Sequence, residues 1–423
     1  MTTDFTHDAG ARSWLASANT EDTDFPLQNL PLGVVGGRIA MAIGDQALDL
    51  AAALDVGLLR ALPPAVQASL RAPRLNALFA LGRGALRDVR HAVFALLHEG
   101  AAQADATARC LRPLAAATPE LPCDIGDYSD FFASLNHARN TFNLFRPGQV
   151  FLPNYKYVPI AYHGRSSSIF AAPKDFHRPW GQIRPEAEAP PQFAPSRRVD
   201  LEVELGFYVA AGNAHGTQVP LAQAEQHLAG VCLLNDWSAR DVQAWESQPL
   251  GPFLAKNFVS AVSPWVVTLE ALAPFRAPQV ARESGDPPPL PYLDNAADRD
   301  SGAFDITIET RIASAAMREA GTAPALVSRA NAARDLWWTP AQMVAHHTVG
   351  GCNLRPGDLL GSGTVSGPGP GNEPGNEPGT EGSLLELTWG GQRPLALPDG
   401  STRAFLHDGD EVTLSAFCER AGF

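Results

Sequence analysis

The sequence predicts a mostly β protein of the α+β class, with a small N-terminal domain followed by a larger C-terminal domain. Two segments, 199–207 and 304–312, alternate polar and apolar residues as half-buried strands do. The chain contains 37 glycines and 36 prolines, and after residue 120 they separate many short segments, which indicates strands joined by turns. A length of 423 residues allows a large core and favours two or more domains.

The N-terminal part combines one hairpin with helices. Four elements are predicted in order: a strand–turn–strand hairpin over 38–50, helices over 64–82 and 85–99, and a linker over 113–122. We therefore place a domain boundary near residue 118, which gives domains of residues 1–118 and 119–423. Later in the chain, Thr339 and Pro340 are the residue types favoured at the N-cap and first position of a helix.

The stretch 235–243 follows a predicted buried strand and carries the first chemical signal. A residue at its start can cap a helix on which Asp236, Arg240 and Gln243 share one face. For such a triplet alone, an exposed helix face with an i,i+4 acid–arginine pair is the more ordinary interpretation. A Pro/Gly-braced apolar segment that ends in Lys256 follows at once. This neighbour favours a polar wall with a function.

Carboxylates on the first alternating strand indicate a metal site. Asp200, Glu202 and Glu204 fall on one face of it, and an edge strand with solvated acids is a fair alternative. If that face meets Asp236, two unit charges about 4 Å apart repel by roughly 4 kcal/mol at an effective dielectric near 20. Such a cluster needs a cation, and all-oxygen donors select a hard ion, Mg²⁺ or Ca²⁺.

A general base cannot be selected from the residue pattern alone. His137 lies seven residues after Asp130, but His163, His346 and His347 are equally available. A lone histidine is more often a surface or hydrogen-bonded core residue than a base. The choice among the four therefore stays open at this level.

Composition excludes several classes of function. A net charge of −13 disfavours nucleic acid or an anionic membrane as a partner. The sequence has no apolar run of membrane-spanning length, and its N-terminus has no apolar signal-peptide core. The five cysteines are scattered and form no CxxC, which predicts reduced thiols in a cytoplasmic enzyme.

Five motifs in order give the chain a resemblance to the fumarylacetoacetase family. They are Asp127-Tyr128-Ser129-Asp130-Phe131, Tyr162-His163-Gly164-Arg165-Ser166-Ser167, Glu202-Val203-Glu204, Asn235-Asp236-Trp237-Ser238-Ala239-Arg240-Asp241, and Gly351-Cys352-Asn353-Leu354-Arg355-Pro356-Gly357-Asp358-Leu359-Leu360. Each motif is moderately specific, and the ordered set is highly specific. The likeness extends over nearly the whole chain, including the N-terminal hairpin and helices.

The resemblance implies a small N-terminal barrel-like domain, a larger C-terminal β-roll domain and a homodimer. It implies metal-dependent hydrolysis of the C–C bond of 4-fumarylacetoacetate to fumarate and acetoacetate, the last step of tyrosine and phenylalanine catabolism. Water must attack a carbonyl, so a histidine base oriented by a carboxylate suits the reaction. The carbanion that leaves needs a divalent ion to stabilise it.

The resemblance also implies roles for individual residues. The residues placed at Ca²⁺ and/or Mg²⁺ are Asp130, Glu202, Glu204, Asp236, Lys256 and Ser260. The catalytic group comprises His137, Glu386, Arg240 and Lys256. The substrate contacts are Phe132, Arg146, Tyr162, Gln243, Ser247 and Thr364. Phe132 and Ser247 stand where the family pattern has tyrosines. The exact substrate therefore stays open.

Three alternatives compete with this interpretation. The nearest is a hydrolase of acylpyruvates or of another 1,3-diketo acid from the same superfamily, and an oxo-acid decarboxylase or hydratase is weaker. A calcium-stabilised β protein without activity would explain the acids but not the cations beside them. The low-complexity segment 367–382, with Gly-Asn-Glu-Pro twice, is predicted to be a mobile surface linker rather than a lid.

Overall fold

The computed structural model describes residues 3–118, 120–186, 188–369 and 378–421. The strands are β1 Leu32–Val35, β2 Arg38–Ile43, β3 Gln46–Asp49, β4 Leu111–Pro113, β5 Tyr128–Phe131, β6 Ala161–Gly164, β7 Ile169–Ala171, β8 Trp180–Ile183, β9 Gln192–Pro195, β10 Val199–Asp200, β11 Val203–Val209, β12 Leu228–Asn235, β13 Ser238–Ala239, β14 Ser260–Val262, β15 Val267–Thr268, β16 Arg276–Ala277, β17 Ala303–Phe304, β18 Thr307–Ala313, β19 Ala325–Asn331, β20 Leu359–Gly361, β21 Leu395–Ala396, β22 Thr402–Arg403 and β23 Glu411–Phe417.

Helices lie between the strands along the chain. They are α1 Leu50–Asp55, α2 Pro64–Ser69, α3 Asn76–Phe79, α4 Arg83–Leu97, α5 Ala104–Ala108, α6 Leu135–Phe145, α7 Leu221–Ala224, α8 Arg240–Glu246, α9 Ala296–Ser301, α10 Ala315–Glu319, α11 Ala332–Asp335, α12 Pro340–Thr348 and α13 Leu384–Leu387. The predicted α+β, mostly β class is confirmed. Among the described residues, no helix is long and apolar enough to span a membrane.

The N-terminal part is a four-stranded antiparallel sheet, β1-β2-β3-β4, with five helices. Its β2–β3 hairpin confirms the predicted one, and Gly44 in the turn has a φ of +55°, which favours glycine. The helix predicted over 64–82 is wrong as one element. It breaks into α2 and α3 because Pro73, between them, cannot continue a helix. The second predicted helix corresponds to α4.

The C-terminal part is built on a mixed sheet with the order β6-β5-β20-β11-β12-β14-β7. The β20–β5 and β14–β7 pairs are parallel, and the other pairs along this path are antiparallel. A second sheet, β19-β18-β23, follows later in the chain. The predicted strand over 304–312 is interrupted, because β17 ends at Phe304 and β18 begins at Thr307.

Each face of the main sheet contacts a separate hydrophobic core. Leu205 and Phe207 pack into the core of the C-terminal part. Tyr208, Cys232 and Leu234 pack on the opposite face, together with the helices and strands of the N-terminal part. The main sheet therefore lies between the two cores. The boundary near residue 118 stays a prediction.

The acids of the first alternating segment are buried, which excludes the solvated edge strand. Asp200, Glu202 and Glu204 are 0%, 5% and 0% exposed. The segment also divides into two strands, β10 and β11, rather than forming one. Three buried carboxylates need nearby positive charge, from basic side chains or from a metal ion.

The helix predicted after Asp236 exists, but its predicted first turn is wrong. Ser238 and Ala239 form the short strand β13, which pairs with Val199 and Asp200, and α8 begins only at Arg240. The tertiary pairing with β10 overrides the local capping pattern. Contrary to the prediction, Asp236 is therefore not on the same helix face as Arg240 and Gln243, and the i,i+4 acid–arginine pair of the alternative interpretation does not form either.

The capping prediction at Thr339 is confirmed. Its side chain accepts from the backbone N–H of Gln342, and the Gln342 side chain returns a bond to complete a capping box. The Gly-Asn-Glu-Pro repeats lie mostly outside the described residues. At the flanks, the backbone N–H of Gly367 donates to the carbonyl of Thr380, 2.7 Å away, which holds the two ends together.

Candidate active site

A histidine and a glutamate far apart in sequence meet in the C-terminal part. Ser134 caps α6 and accepts from the backbone N–H of His137 in its first turn. The His137 ring is buried, and its Nδ1 lies 2.7 Å from Oε2 of Glu386, a residue 249 positions away. Its other nitrogen, Nε2, lies 3.9 Å from Oε1 of Glu202. The ring is thus held at one nitrogen and directed towards the acids at the other.

Several donors hold the Glu386 carboxylate. Ser366 and Ser383 donate to Oε2 at 2.9 and 2.8 Å, and Asn140 donates to Oε1 at 2.9 Å. Burial alone would raise the pKa of Glu386, but His137 and the hydrogen bonds outweigh it and lower that pKa. Glu386 is therefore a fixed anion that orients the imidazole.

Sequence reasoning missed these supporting residues, although two had a signal. Ser383 caps α13 and stands three residues before Glu386, the S-x-x-E pattern of a capping box. Asn140 lies three residues after His137 and therefore on the same face of α6. Ser366 comes from a distant loop and has no comparable signal.

Three buried carboxylates form a cluster. Each of Asp130, Glu204 and Asp236 offers one oxygen, and these oxygens lie within 4.8 Å of one another. Burial first, and the neighbouring carboxylates second, raise the pKa values of Asp130 and Glu204 well above normal. In the described part of the chain, Oδ1 of Asp130 and both oxygens of Glu204 are buried without a hydrogen-bond partner. Such orphaned acceptors fit a bound divalent cation.

Gly361 leaves the space beside this cluster open. A Cβ at that position would lie 2.6 Å from Oδ1 of Asp130 and 3.1 Å from Oε2 of Glu204. Gly361 pairs with Asp130 across β20 and β5, and with Gly206 across β20 and β11. The absence of a side chain therefore preserves the cradle between the two carboxylates.

Asp236 receives several donors at once. Ser260 donates to Oδ1 at 2.7 Å, and Tyr162 and the ammonium of Lys256 contact Oδ2, both at 2.8 Å. Burial alone would lower the pKa of Lys256, but Asp236 and Glu202 outweigh it and raise that pKa above normal. In the described contacts Lys256 is a counter-charge to Asp236 and Glu202. Its predicted place at the metal ion stays a prediction.

Glu202 stands outside the carboxylate cluster. Its Oε2 pairs with the Lys256 ammonium, and its Oε1 lies 2.7 Å from Nη1 of Arg240. Burial would raise the pKa of Glu202, but Arg240 and Lys256 lower it to about 2. Three of the four predicted carboxylates therefore share one centre in the described residues, and the place of Glu202 at the metal ion stays a prediction.

The predicted substrate contacts lie at different distances from this centre. The Phe132 ring packs edge-on against His137 with 5.3 Å between centroids. Gln243 accepts from Nη1 of Arg240 at 3.0 Å. Oγ1 of Thr364 is buried without a hydrogen-bond partner among the described residues, so it is available to a ligand. These three residues, like Tyr162, belong to the neighbourhood of the site.

Two predicted contacts have other surroundings. Arg146 follows the last residue of α6, and its guanidinium lies 6.0 Å from the ring centroid of Phe142. Ser247 ends α8, and its backbone N–H donates to the carbonyl of Gln243 at 3.1 Å. The described contacts do not bring either side chain to the carboxylates, and their roles stay predictions.

Comparisons with known proteins identify the family of the chain. The family model described as "Fumarylacetoacetase N-terminal" matches residues 28–122, and the one described as "Fumarylacetoacetate (FAA) hydrolase C-terminal" matches residues 128–422. Fumarylacetoacetase from Arabidopsis thaliana is 43% identical over 95% of this chain and 93% of that protein. The human and Caenorhabditis elegans proteins of the same name are 41% and 44% identical, each over 95% of this chain and 94% of theirs. The chain belongs to the fumarylacetoacetase family of hydrolases.

Proposed function

We propose that the protein hydrolyses the C–C bond of 4-fumarylacetoacetate to fumarate and acetoacetate, as the last step of tyrosine and phenylalanine breakdown. The observation that carries this proposal is the buried His137–Glu386 pair, which lies beside the acids and cations of the carboxylate cluster. Relatives named fumarylacetoacetase match nearly the whole chain. A base, fixed donors and a cation site are the three parts that the reaction needs.

His137 acts as the general base. With Nδ1 bound to Glu386, the free nitrogen Nε2 takes a proton from the attacking water. Glu386 fixes the tautomer and stabilises the imidazolium that forms. The edge-on Phe132 ring and the burial of His137 exclude bulk water from the pair.

Arg240 and Gln243 supply donors for the negative charge that develops on the carbonyl oxygen. Nε and Nη1 of Arg240 are already bonded, whereas its Nη2 is buried and has no partner in the described ranges. Because the oxygen of Gln243 accepts from Arg240, its amide NH₂ remains available to donate. Preorganised donors of this kind stabilise an oxyanion without rearrangement.

Asp130, Glu204 and Asp236 would hold a divalent cation, which we propose is Mg²⁺ or Ca²⁺ because all the donors are oxygens. When bound, the ion supplies Lewis-acid stabilisation of charge on the diketone fragment. Tyr162, Ser260 and Lys256 hold Asp236 in place. The metal proposal rests on the orphaned oxygens of Asp130 and Glu204.

The decisive experiment incubates the purified protein with 4-fumarylacetoacetate and Mg²⁺ or Ca²⁺, and assays fumarate release. We expect turnover that a chelator abolishes and that the added ion restores. An acylpyruvate is assayed in parallel, because Phe132 has no hydroxyl and the hydroxyl of Ser247 stands on a much shorter side chain than that of the family tyrosine. A higher kcat/KM for the acylpyruvate would replace the proposed substrate by that of the nearest rival.

Lys256→Met tests the role of the buried cation. Removing a fixed charged donor typically lowers kcat by about 10²–10³-fold, and we expect a loss of this size, measured by fumarate release. Arg311→Met is a matched control, because Arg311 also pairs with a buried glutamate, Glu309, but on β18. Near wild-type kcat in the Lys256 variant would exclude a role in turnover.

We also propose that the protein is a cytoplasmic homodimer. The five cysteines are unpaired thiols, in agreement with a reducing compartment. Large apolar side chains are exposed on the β8–β9 hairpin and in the loop after α8: Leu250 by 96%, Phe193 by 74%, Phe253 by 67% and Trp180 by 57%. Sedimentation equilibrium should give twice the chain mass of 45.0 kDa, and a single chain mass at micromolar concentration would contradict the dimer.

A further inference from the structure

Asp200 connects the two halves of the candidate active site. It lies on the two-residue strand β10 and is fully buried. Its Oδ1 accepts from the backbone N–H of Leu384 at 2.7 Å, and its Oδ2 accepts from that of Leu385 at 2.9 Å. The same Oδ2 accepts from Nε of Arg240 at 2.8 Å. One carboxylate thus bonds a helix start and a guanidinium.

The helix arm leads to the base. Leu384 and Leu385 are the first two residues of α13, which has only four residues and carries Glu386 as its third. So short a helix cannot maintain itself, because nucleation is unfavourable and its first N–H groups lack internal partners. Asp200 satisfies two of these N–H groups and fixes where α13 begins. It thereby fixes the position of Glu386, 2.7 Å from His137.

The guanidinium arm leads to the proposed oxyanion donor. Arg240 is 2% exposed, and its Nε donates to Oδ2 of Asp200. Nη1 contacts Glu202 and Gln243, which leaves Nη2 free of protein partners in the described chain. A planar guanidinium held at two of its three nitrogens can present the third in only one direction. Asp200 therefore directs Nη2.

We propose that Asp200 is a positioning residue that aligns the general base and the oxyanion donor with each other through one carboxylate. It lies outside the carboxylate cluster, and it acts through Glu386 and Arg240. This inference rests on the proposed hydrolase function. Its consequence is that disturbing Asp200 displaces both catalytic arms together, whereas disturbing Glu386 or Arg240 displaces one.

The test uses Asp200→Asn, which keeps the shape of the side chain but replaces one acceptor by an NH₂ donor. Misplacing catalytic groups by about 1 Å lowers turnover by about 10²-fold, so we expect a fall in kcat of this order and a smaller change in KM. Asp410→Asn is the matched control. Asp410 is also a buried carboxylate that accepts from an arginine, Arg403, and from a backbone N–H, that of His407. It should retain wild-type kcat.

A mutant cycle separates positioning from general destabilisation. If Asp200 acts through Glu386, the double variant Asp200→Asn/Glu386→Gln loses little more kcat than the worse single variant. Losses that multiply would overturn the proposal. If Asp200→Asn fails to fold, Asp200→Ser replaces it in the same cycle, because a hydroxyl can still accept one N–H and carries no charge.

A spectroscopic readout makes the outcome independent of substrate. The Nδ1–H proton of His137 in its bond to Glu386 should give a downfield NMR resonance, assigned by its loss in His137→Gln. We expect Asp200→Asn to shift or broaden this resonance and Asp410→Asn to leave it unchanged. An unchanged resonance in Asp200→Asn overturns the positioning role. If Asp200→Asn shifts the resonance but the wild-type protein does not turn over 4-fumarylacetoacetate, the positioning role stands and the proposed function is overturned.

Discussion

His137→Gln is expected to lower kcat for fumarate release by about 10²–10⁴-fold, the usual contribution of a positioned general base. Glutamine can fill the space beside Glu386, but it cannot accept a proton at neutral pH. The carboxylate cluster does not include His137, so binding of a divalent ion should survive. The measurement is steady-state kinetics at saturating Mg²⁺ or Ca²⁺, with metal binding followed separately by calorimetry.

Two further variants sharpen this prediction. Glu386→Gln should lose less turnover than His137→Gln, because it disturbs the orientation of the ring and leaves the base present. His347→Gln is the control. His347 is a partly buried histidine on α12, and its Nε2 lies 2.8 Å from Oγ of Ser129. If the His137 and His347 variants keep equal activity, the base lies elsewhere and the mechanism is wrong.

The second large effect concerns the cation. Glu204→Gln is expected to abolish the rise in Tm that Mg²⁺ or Ca²⁺ gives the wild-type protein, and with it most of the turnover. Both oxygens of Glu204 are buried beside two other carboxylates, and no described residue gives them a hydrogen bond. Without added ion, the variant should be at least as stable as the wild type, because a neutral amide replaces a carboxyl group whose charged form is disfavoured by burial and by the neighbouring carboxylates.

Differential scanning calorimetry with and without the ion measures both parts of this expectation. Glu381→Gln is the control, because Glu381 is a buried glutamate whose carboxylate accepts from the Thr380 N–H, outside the cluster. It should keep the ion-dependent rise in Tm. An equal rise in the Glu204 variant would show that the cluster does not bind the ion.

The hairpin at Gly44 and the start of α12 could be predicted from the sequence because they depend on local chemistry. A turn glycine with positive φ and a threonine cap act within a few residues of themselves. The start of α8 could not be predicted in the same way. There the local pattern favours a cap at Asn235 or Asp236, and a strand pairing with residues nearly 40 positions earlier decides the outcome.

The candidate site shows the same division. Spacing predicted that Asp200, Glu202 and Glu204 share one face of a single strand, whereas the segment forms the two strands β10 and β11. Spacing also could not assign each acid to its partner. Two of them pair with cations and only Glu204 joins the cluster, because the choice depends on where Arg240 and Lys256 arrive. Residue chemistry also left four histidines equal. The family resemblance selected His137, and its distance to Glu386 is a long-range property that no local pattern contains.

The position of the main sheet between two cores has an evolutionary consequence. Every candidate site residue lies after residue 127. The side chains of Tyr208, Cys232 and Leu234 nevertheless pack in one core with residues of the N-terminal part. A C-terminal fragment expressed alone would turn this apolar face to water and would aggregate. The N-terminal part thus shields an apolar face of the catalytic part from water. A lineage can discard it only after making the bared face polar or pairing it with another chain.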